Sequence, residues 1–430
     1  MECTPAVALP AIAPVVVSPR SLLAAFAAVA DPRRQASIDY PLPALLALAV
    51  VAILANQHSP LAIAEWAARQ GTAVLAPLGF AAGRTPCQST LHRLFARLDG
   101  GGLSGALSAH FAPAATTDPA RRGGQGVAVD GKAQRGRLQY QTGGSPVHAL
   151  TALCHDRGVV LAQEPIDCGV DKAEAELTVA PTLLARLDWR GRVLTGDALF
   201  CQRGICEQVL AAGGDYLLLV KGNQPTLRED IRLLFDPPAD VPAPLPLLDR
   251  REAGTIEKGH GRADDIRRLV ASTDLVGYCD WPGLAQVIRL ERTWSVRGQR
   301  HRALHYAITS LPPASGSAAR LLALKRGHWA IENGLHHIKD VACGEDRSLV
   351  HLGSGPTIMA MLRDTAISLL RRAGCRAVAS RLRAHADHPI AAVALVVNPP
   401  PPSRISPAPR TSPVVPCRHF VRQFLAGRPG

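Results

Sequence analysis

Between Gly126 and Phe235 the residue pattern changes period several times, and that order restricts the fold more than any other feature of the chain. GVAVD (Gly126–Asp130) is a short apolar run that closes on an acid. Two β-like runs follow, Val147–His155 and Val159–Asp167, and Asp156-Arg157-Gly158 between them reads as a hairpin turn. Lys172–Leu187 has helical spacing, and Val193–Thr195 is a short strand that leads into Gly196-Asp197. Arg203–Ala212 is helical and Asp215–Lys221 is a strong strand. Asn223, read as an N-cap, and Pro225 open a further helix toward Phe235. Strand, hairpin, helix, strand, helix, strand is a mixed α/β order, not a simple alternating one.

The flanks have other textures. Ser21–Asp99 reads as helical, with Ala44–Ala55 as one helix and Pro60–Gln70 as another, capped by Ser59. In the segment PCQSTLHRLFARL, Ser89 or Thr90 can cap a helix that carries His92, Arg93 and Arg97. Such a helix suits helix-turn-helix DNA binding and equally an ordinary surface. Gly100–Gly126 is Gly- and Ala-rich and reads as a linker. The stretch from Pro237 to Leu311 holds prolines and β-like runs at Ile266–Ser272, Ala285–Ser295 and Ala303–Ser310, as a β-rich insertion would. One long helix is expected from Ser317 to Val341 and another from Pro356 to Arg372. The resulting division is a disordered terminus (1–20), a helical region (21–99), a linker (100–125) and a first core part (126–236). The insertion with its return strand (237–311), the rest of the core (312–385) and a disordered Pro-rich tail (386–430) complete it.

Hydrophobic residues make up 47%, enough for a sizeable core, and the formal net charge of +13 favours a polyanionic partner, nucleic acid first. A GC-rich codon bias toward arginine is the plainer source of that charge. Ten cysteines stand without a CxxC pair, so reduced thiols in an intracellular protein are expected over a disulfide framework. Glu2 and the prolines near it argue against a secretory signal. The apolar run Leu42–Ala55 is short for a membrane span and reads as a buried helix.

Three acids stand at informative places: Asp130 and Asp197 at strand ends, and Glu332 inside the long helix in GHWAIENGLHHIKD. A strand-end Asp on its own is most often a cap or turn former. Brought together, the three carboxylates repel one another, raise their own pKa values and invite a divalent cation. Hard oxygen ligands suit Mg²⁺ or Mn²⁺, and two such ions about 4 Å apart serve phosphoryl transfer.

Longer segments now carry a resemblance: DPRRQ (31–35), AVDGKAQRG (128–136), DKAEAE (171–176), LTGDALFCQ (194–202), LVKGNQPTL (219–227), EKGHGR (257–262) and GHWAIENGLHHIKDVACGEDRS (327–348). Over about residues 22–385 the chain resembles the ISAs-one family of insertion-sequence transposases, relatives of the H-repeat-associated proteins within the DDE group. The resemblance implies an RNase H-like mixed-sheet core, an insertion before its last helix, and a helical N-terminal region. By position, Asp130, Asp197 and Glu332 match the DDE metal ligands. There are departures. The Asn usual in DK-x-NE gives way to Ala173-Glu174, the aromatic before GED is Cys343, and the run after it reads His351–Pro356. Slots seven and four residues before the Glu, often Tyr and Arg, hold Lys325 and His328, while the Lys seven after it is present as Lys339.

Lys339 and His336 share the helical face of Glu332, so both are candidates to meet DNA, Lys339 through a phosphate. Lys132, Arg135, Lys221 and Arg93 are further candidate DNA contacts. Trp329 and Leu335 read as core contacts, Glu345 and Asp346 as capping acids that compete for the third ligand position, and a zinc site at His328, His336 and His337 as the weaker metal reading. The expected protein is a cytoplasmic, nucleoid-associated transposase. It would take Mg²⁺ or Mn²⁺, as two ions, bind element ends and target DNA as a homo-oligomer, and use neither membrane nor small-molecule substrate. A catalytically decayed DNA-binding descendant and a plain RNase H-like nuclease are the competing readings.

Overall fold

The computed structural model describes residues 20–35, 38–80, 84–112, 124–134, 148–166, 172–238, 248–259, 262–401 and 415–416. The chain opens with helices α1 (Leu22–Phe26), α2 (Leu42–Leu54), α3 (Pro60–Ala68), α4 (Thr72–Leu75), α5 (Gln88–Arg97) and α6 (Gly100–Phe111). Ser59 caps α3 by accepting from the Ala62 amide at 3.1 Å, and Pro60 takes the first turn, where no donor is needed. For α5 the cap position is Cys87, not Ser89 or Thr90. The expected linker is α6. Asp99 accepts from the amides of Gly101 and Gly102, which offsets the poor helix propensity of three glycines, and Leu103, Leu107 and Phe111 bury one stripe.

The core follows as strands β1 (Gln125–Ala133), β2 (His148–Cys154), β3 (Val160–Ile166), helix α7 (Lys172–Ala185), β4 (Arg192–Gly196), α8 (Arg203–Ala211), β5 (Asp215–Val220) and α9 (Pro225–Phe235). Asn223 is not the cap of α9; its side chain donates to the Ala198 carbonyl, and Gln224 stands at the cap. Strands β6 (Arg251–Gly259), β7 (Arg262–Ser272), β8 (Gln286–Val296) and β9 (Gln299–Thr309) come next. Helices α10 (Ala318–Gly327), α11 (His337–Val341), α12 (Gly355–Arg372), α13 (Val378–Asp387), α14 (Pro389–Val397) and a two-residue strand β10 (Val415–Pro416) end the described chain.

Among the described residues the strands form one sheet in the order β10-β6-β7-β8-β9-β5-β4-β1-β2-β3. β1, β4 and β5 run parallel, while β2 and β3 continue from β1 as an antiparallel hairpin. That five-strand order is the RNase H-like mixed sheet. The insertion is not a separate lobe: its return strand β9 pairs antiparallel with β5, so β6–β9 extend the same sheet. β6 itself was not foreseen.

Side chains that alternate along β1 feed opposite cores. Val127 and Val129 pack beneath α7 and α8, while Ala128 faces the core shared by α2, α12 and α14. The apolar run of α2 is buried on nearly every side, as expected of a core helix, and no described helix is long and apolar enough to cross a membrane. Two further expectations are corrected. The segment after residue 386 contains α14, whose Ala392, Val393 and Val396 are buried, and β10 pairs with β6. The long helix is broken: a turn at His328-Trp329 and a π-turn over Glu332–His336 separate α10 from α11.

Candidate active site

The register of β1 places the first acid. β1 pairs with parallel β4 only over Gln125–Ala128, and beyond that it keeps only its partner β2, with Asp130 opposite Thr151. Asp130 therefore stands in the fork where β1 and β4 part, at the carboxyl ends of the parallel strands, the usual ligand crevice of open α/β sheets. Asp197 follows β4 directly, and one of its carboxylate oxygens accepts from the Leu199 amide at 2.9 Å. Cap and site positions thus coincide in one residue. Glu332 is exposed at the start of the π-turn, a helix irregularity found often at functional sites.

Electrostatics tie the three together. Burial pushes the Asp130 carboxyl up to about 7, and the neighbouring charges of Glu176, Glu332 and Asp197 push it the same way. Glu176 was not singled out from the sequence. It is a buried acid of α7 whose carboxyl lies over Gly131, where a Cβ would clash with it. The glycine after Asp130 is what admits it, and only the fold reveals the pairing. Among the described residues no three acidic, histidine or cysteine side chains already converge on one metal position. Glu176, Glu332 and Asp197 are close enough for their charges to raise Asp130. Such a donor set fits a hard divalent cation.

Cations border the acids. Lys325, on α10, is pulled down to about 8 by burial and by Lys221, against the opposite pull of Asp197 and Glu332. Lys221 is exposed just past β5. His305 on β9 is held below the ordinary imidazole range by burial, Lys325 and Lys221. His336 Nδ1 lies 3.6 Å from Asp130 Oδ2, so it stands beside the first acid.

The family model described as "Transposase DDE domain" matches residues 119–370, and one described as "DDE_Tnp_1-associated" matches residues 23–111. The chain belongs to the DDE transposase family. The putative transposase YncI of Escherichia coli O157:H7 is 27% identical over 362 residues, 83% of this chain and 88% of that protein. An uncharacterized protein in the dhlA 3′ region of Xanthobacter autotrophicus is 31% identical over 284 residues, 64% of this chain and 89% of that protein. The putative protein YbfL of Escherichia coli K12 is 29% identical over 254 residues, 57% of this chain; the chain spans only 63% of YbfL's length. A solved piggyBac transposase synaptic complex with hairpin DNA superposes with a TM-score of 0.40 at 10% identity, covering 96% of this chain and 82% of that one. At that score the likeness adds nothing to the family match.

Within this family fold, several sequence expectations need correction. Lys339 does not face a DNA phosphate. Its ammonium is buried, 3.0 Å from Asp364 and 3.3 Å from Glu345, and both carboxylates are fully buried. Burial lowers its pKa, but the two carboxylates raise it further and hold it protonated. The cause is the π-turn. In an uninterrupted α-helix seven residues make almost two turns, so Lys339 would share the face of Glu332. A turn wound with one extra residue shifts the downstream phase by about 100° and swings Lys339 into the core. Glu345 is likewise taken, with Arg363 at 3.4 Å as its second cation, so it is not the third ligand. Lys132 is also committed internally: its ammonium donates to both oxygens of Asp340 at 2.7–2.8 Å and ties β1 to α11. Leu335 is a core contact as expected, but Trp329 is exposed. Arg93 is exposed on α5, with its Nε donating to the Ser89 carbonyl. Arg135 lies outside the described residues.

Proposed function

We propose that this chain cuts and rejoins DNA strands as an insertion-sequence transposase, with Asp130, Asp197 and Glu332 as the carboxylates that hold divalent metal. The observation that carries the reading is the raised Asp130 carboxyl, crowded by Glu176, Glu332 and Asp197 at the fork of parallel strands in a DDE transposase fold. Mg²⁺ or Mn²⁺, two ions in the usual arrangement, would supply Lewis-acid stabilisation of the attacking and leaving oxygens. Asp130 and Asp197 are held by the sheet, so they set a rigid side to the site, and Glu332 closes it from the helix. Asp197 keeps one oxygen on the Leu199 amide, which fixes the direction of the other.

Lys221 and Lys325 border the acids and suit a scissile phosphate, positioning it and balancing its charge. Cutting breaks one P–O bond by attack of water and leaves a 3′-hydroxyl; joining breaks one P–O bond of target DNA by attack of that hydroxyl. DNA, as element ends and as target, is the partner. Retention of all three acids favours an active enzyme over a decayed binding protein.

The test uses the protein with labelled duplexes from the ends of its own flanking DNA, in Mg²⁺. Cleavage followed by joining into a plasmid is expected, and ends that terminate in a 3′-deoxy nucleotide should bind but not join. Joining of 3′-deoxy ends at the normal rate, or no metal-dependent cleavage of any end, would refute the proposal.

A further inference from the structure

The three acids sit on three elements remote in sequence, and a polar knot behind them joins the same three elements. Its centre is Thr195, fully buried on β4 two residues before Asp197. The Thr195 hydroxyl is 2.9 Å from His155 Nε2, 3.1 Å from His328 Nδ1 and 3.4 Å from the Val127 carbonyl. Val127 lies on β1 three residues before Asp130, and His328 lies one helical turn before Glu332. The His155 ring is gripped from two sides, because a Cβ on Gly126 of β1 or on Gly327 of α10 would collide with it. Its own amide donates to the Gly126 carbonyl at 2.9 Å.

Donor arithmetic fixes the protons. A carbonyl only accepts, and a threonine has one hydroxyl proton and two lone pairs. If all three contacts are hydrogen bonds, Thr195 gives its proton to Val127, and both rings donate to Thr195. That requires His155 with its proton on Nε2 and His328 with its proton on Nδ1. Burial keeps both rings neutral, each pulled down to about 3. Neutral rings satisfy the pattern with one proton apiece.

We infer that Thr195, with His155 and His328, is a positioning unit that sets the relative placement of the Asp130, Asp197 and Glu332 carboxylates. This rests on the reading of those acids as metal ligands. Thr195 touches no substrate and acts only through the elements it ties. Thr195 stands two residues before Asp197, and the groups it ties, Val127 and His328, stand three residues before Asp130 and four before Glu332, so displacement of one element misaligns one ligand against the other two. Outer partners of metal ligands typically contribute on the order of 10- to 100-fold in metal affinity or activity.

The experiment compares Thr195→Val, which keeps shape and removes the hub, with Thr195→Ser, which keeps the hydroxyl. Free Mn²⁺ is titrated against each protein by electron paramagnetic resonance, without DNA. Thr195→Val should weaken Mn²⁺ binding on the order of tenfold or more while its circular dichroism stays that of wild type, and Thr195→Ser should restore it. In cleavage assays Thr195→Val should raise the Mg²⁺ half-saturation and lower kcat, leaving KM for DNA within about twofold, an order-of-magnitude bound for a group that makes no substrate contact. Histidine ¹⁵N spectra of the wild type should show an Nδ1–H tautomer at His328. Wild-type Mn²⁺ affinity in folded Thr195→Val, or an Nε2–H tautomer at His328, would overturn the inference. If Thr195→Val does not fold, His328→Gln decides on the same Mn²⁺ titration. Asp130→Asn separates the two layers. If it binds Mn²⁺ and cleaves like wild type, the metal-ligand reading itself fails. If it loses both while Thr195→Val keeps both, only the positioning inference fails.

Discussion

Lys339→Met keeps the apolar stem of the side chain and deletes the ammonium shared by Asp364 at 3.0 Å and Glu345 at 3.3 Å. Both carboxylates are 0% exposed and Lys339 is 4% exposed, so water cannot take the place of the lost charge. Arg363, 3.4 Å from Glu345, then still faces that carboxylate, while Asp364 loses the cation at 3.0 Å. Removing one partner of a buried ion pair typically costs ~3–5 kcal/mol, a large share of the ~5–15 kcal/mol that holds a folded protein together. Urea unfolding followed by tryptophan fluorescence should show that loss. Lys339→Met with Asp364→Asn removes the surplus charge and keeps the acceptor for Gln163, so it should recover about 0.5–3 kcal/mol, the usual coupling between contacting groups. DNA binding gives the second arm. A lysine on a phosphate contributes about one unit to the slope of log K against log salt. Folded Lys339→Met should keep the wild-type slope, because its charge never reaches the surface. Wild-type stability combined with a slope lowered by about one would refute the buried network and return Lys339 to the DNA.

Four further outcomes are expected. Gly126→Ala and Gly327→Ala each press a Cβ into the His155 ring and should each cost ~1–3 kcal/mol in thermal or urea unfolding, whereas Gly334→Ala, with open space at its Cβ, should cost less than either. Asp130 must be ionised to bind a cation, and its carboxyl is raised to about 7, so Mn²⁺ affinity should climb with pH up to about 7 and level off above it, a dependence lost in Asp130→Asn. In the metal-free protein the same shift works against folding: the penalty is absent below the ordinary value of 3.8, grows as pH rises, and is complete above about 7, which a pH series of urea midpoints would show. With a net charge of +13, DNA affinity should fall steeply with salt, and Lys221→Gln should lower the slope by about one; a flat salt dependence would remove nucleic acid as the principal partner.

The element order of the core was legible because periodicity and acid-terminated strands are local signals, while its sheet arrangement was implied only by the family resemblance. GVAVD, the Asp156-Arg157-Gly158 hairpin and LTGDAL state their own geometry, and β1, β2 and β4 form where they indicate. The site was less legible, for reasons particular to each residue. Helix periodicity assigns Lys339 to the face of Glu332 only if the winding is uniform, and the π-turn between them is set by packing that spacing cannot show. Glu176 and Gly131 are 45 positions apart, and their meeting depends on how α7 crosses the sheet. The glycine-rich start of α6 suggested a linker because propensity weighs against three glycines, while the Asp99 cap and the buried Leu103, Leu107 and Phe111 outweigh it in three dimensions. The runs that became β7, β8 and β9 read correctly as β, but whether a strand joins an existing sheet is a matter of pairing, not composition.

Single-turnover cleavage of end-sequence DNA in Mg²⁺ by Asp130→Asn, Asp197→Asn and Glu332→Gln tests the three-carboxylate site most directly. Each substitution removes one negative charge with little change of shape, so folding and DNA affinity should stay close to wild type while cleavage falls by about 10²–10³-fold or more, the scale on which a single preorganised charge-stabilising group acts. Near-wild-type cleavage by any one of the three would contradict its place in the site, and near-wild-type cleavage by all three would contradict the site itself.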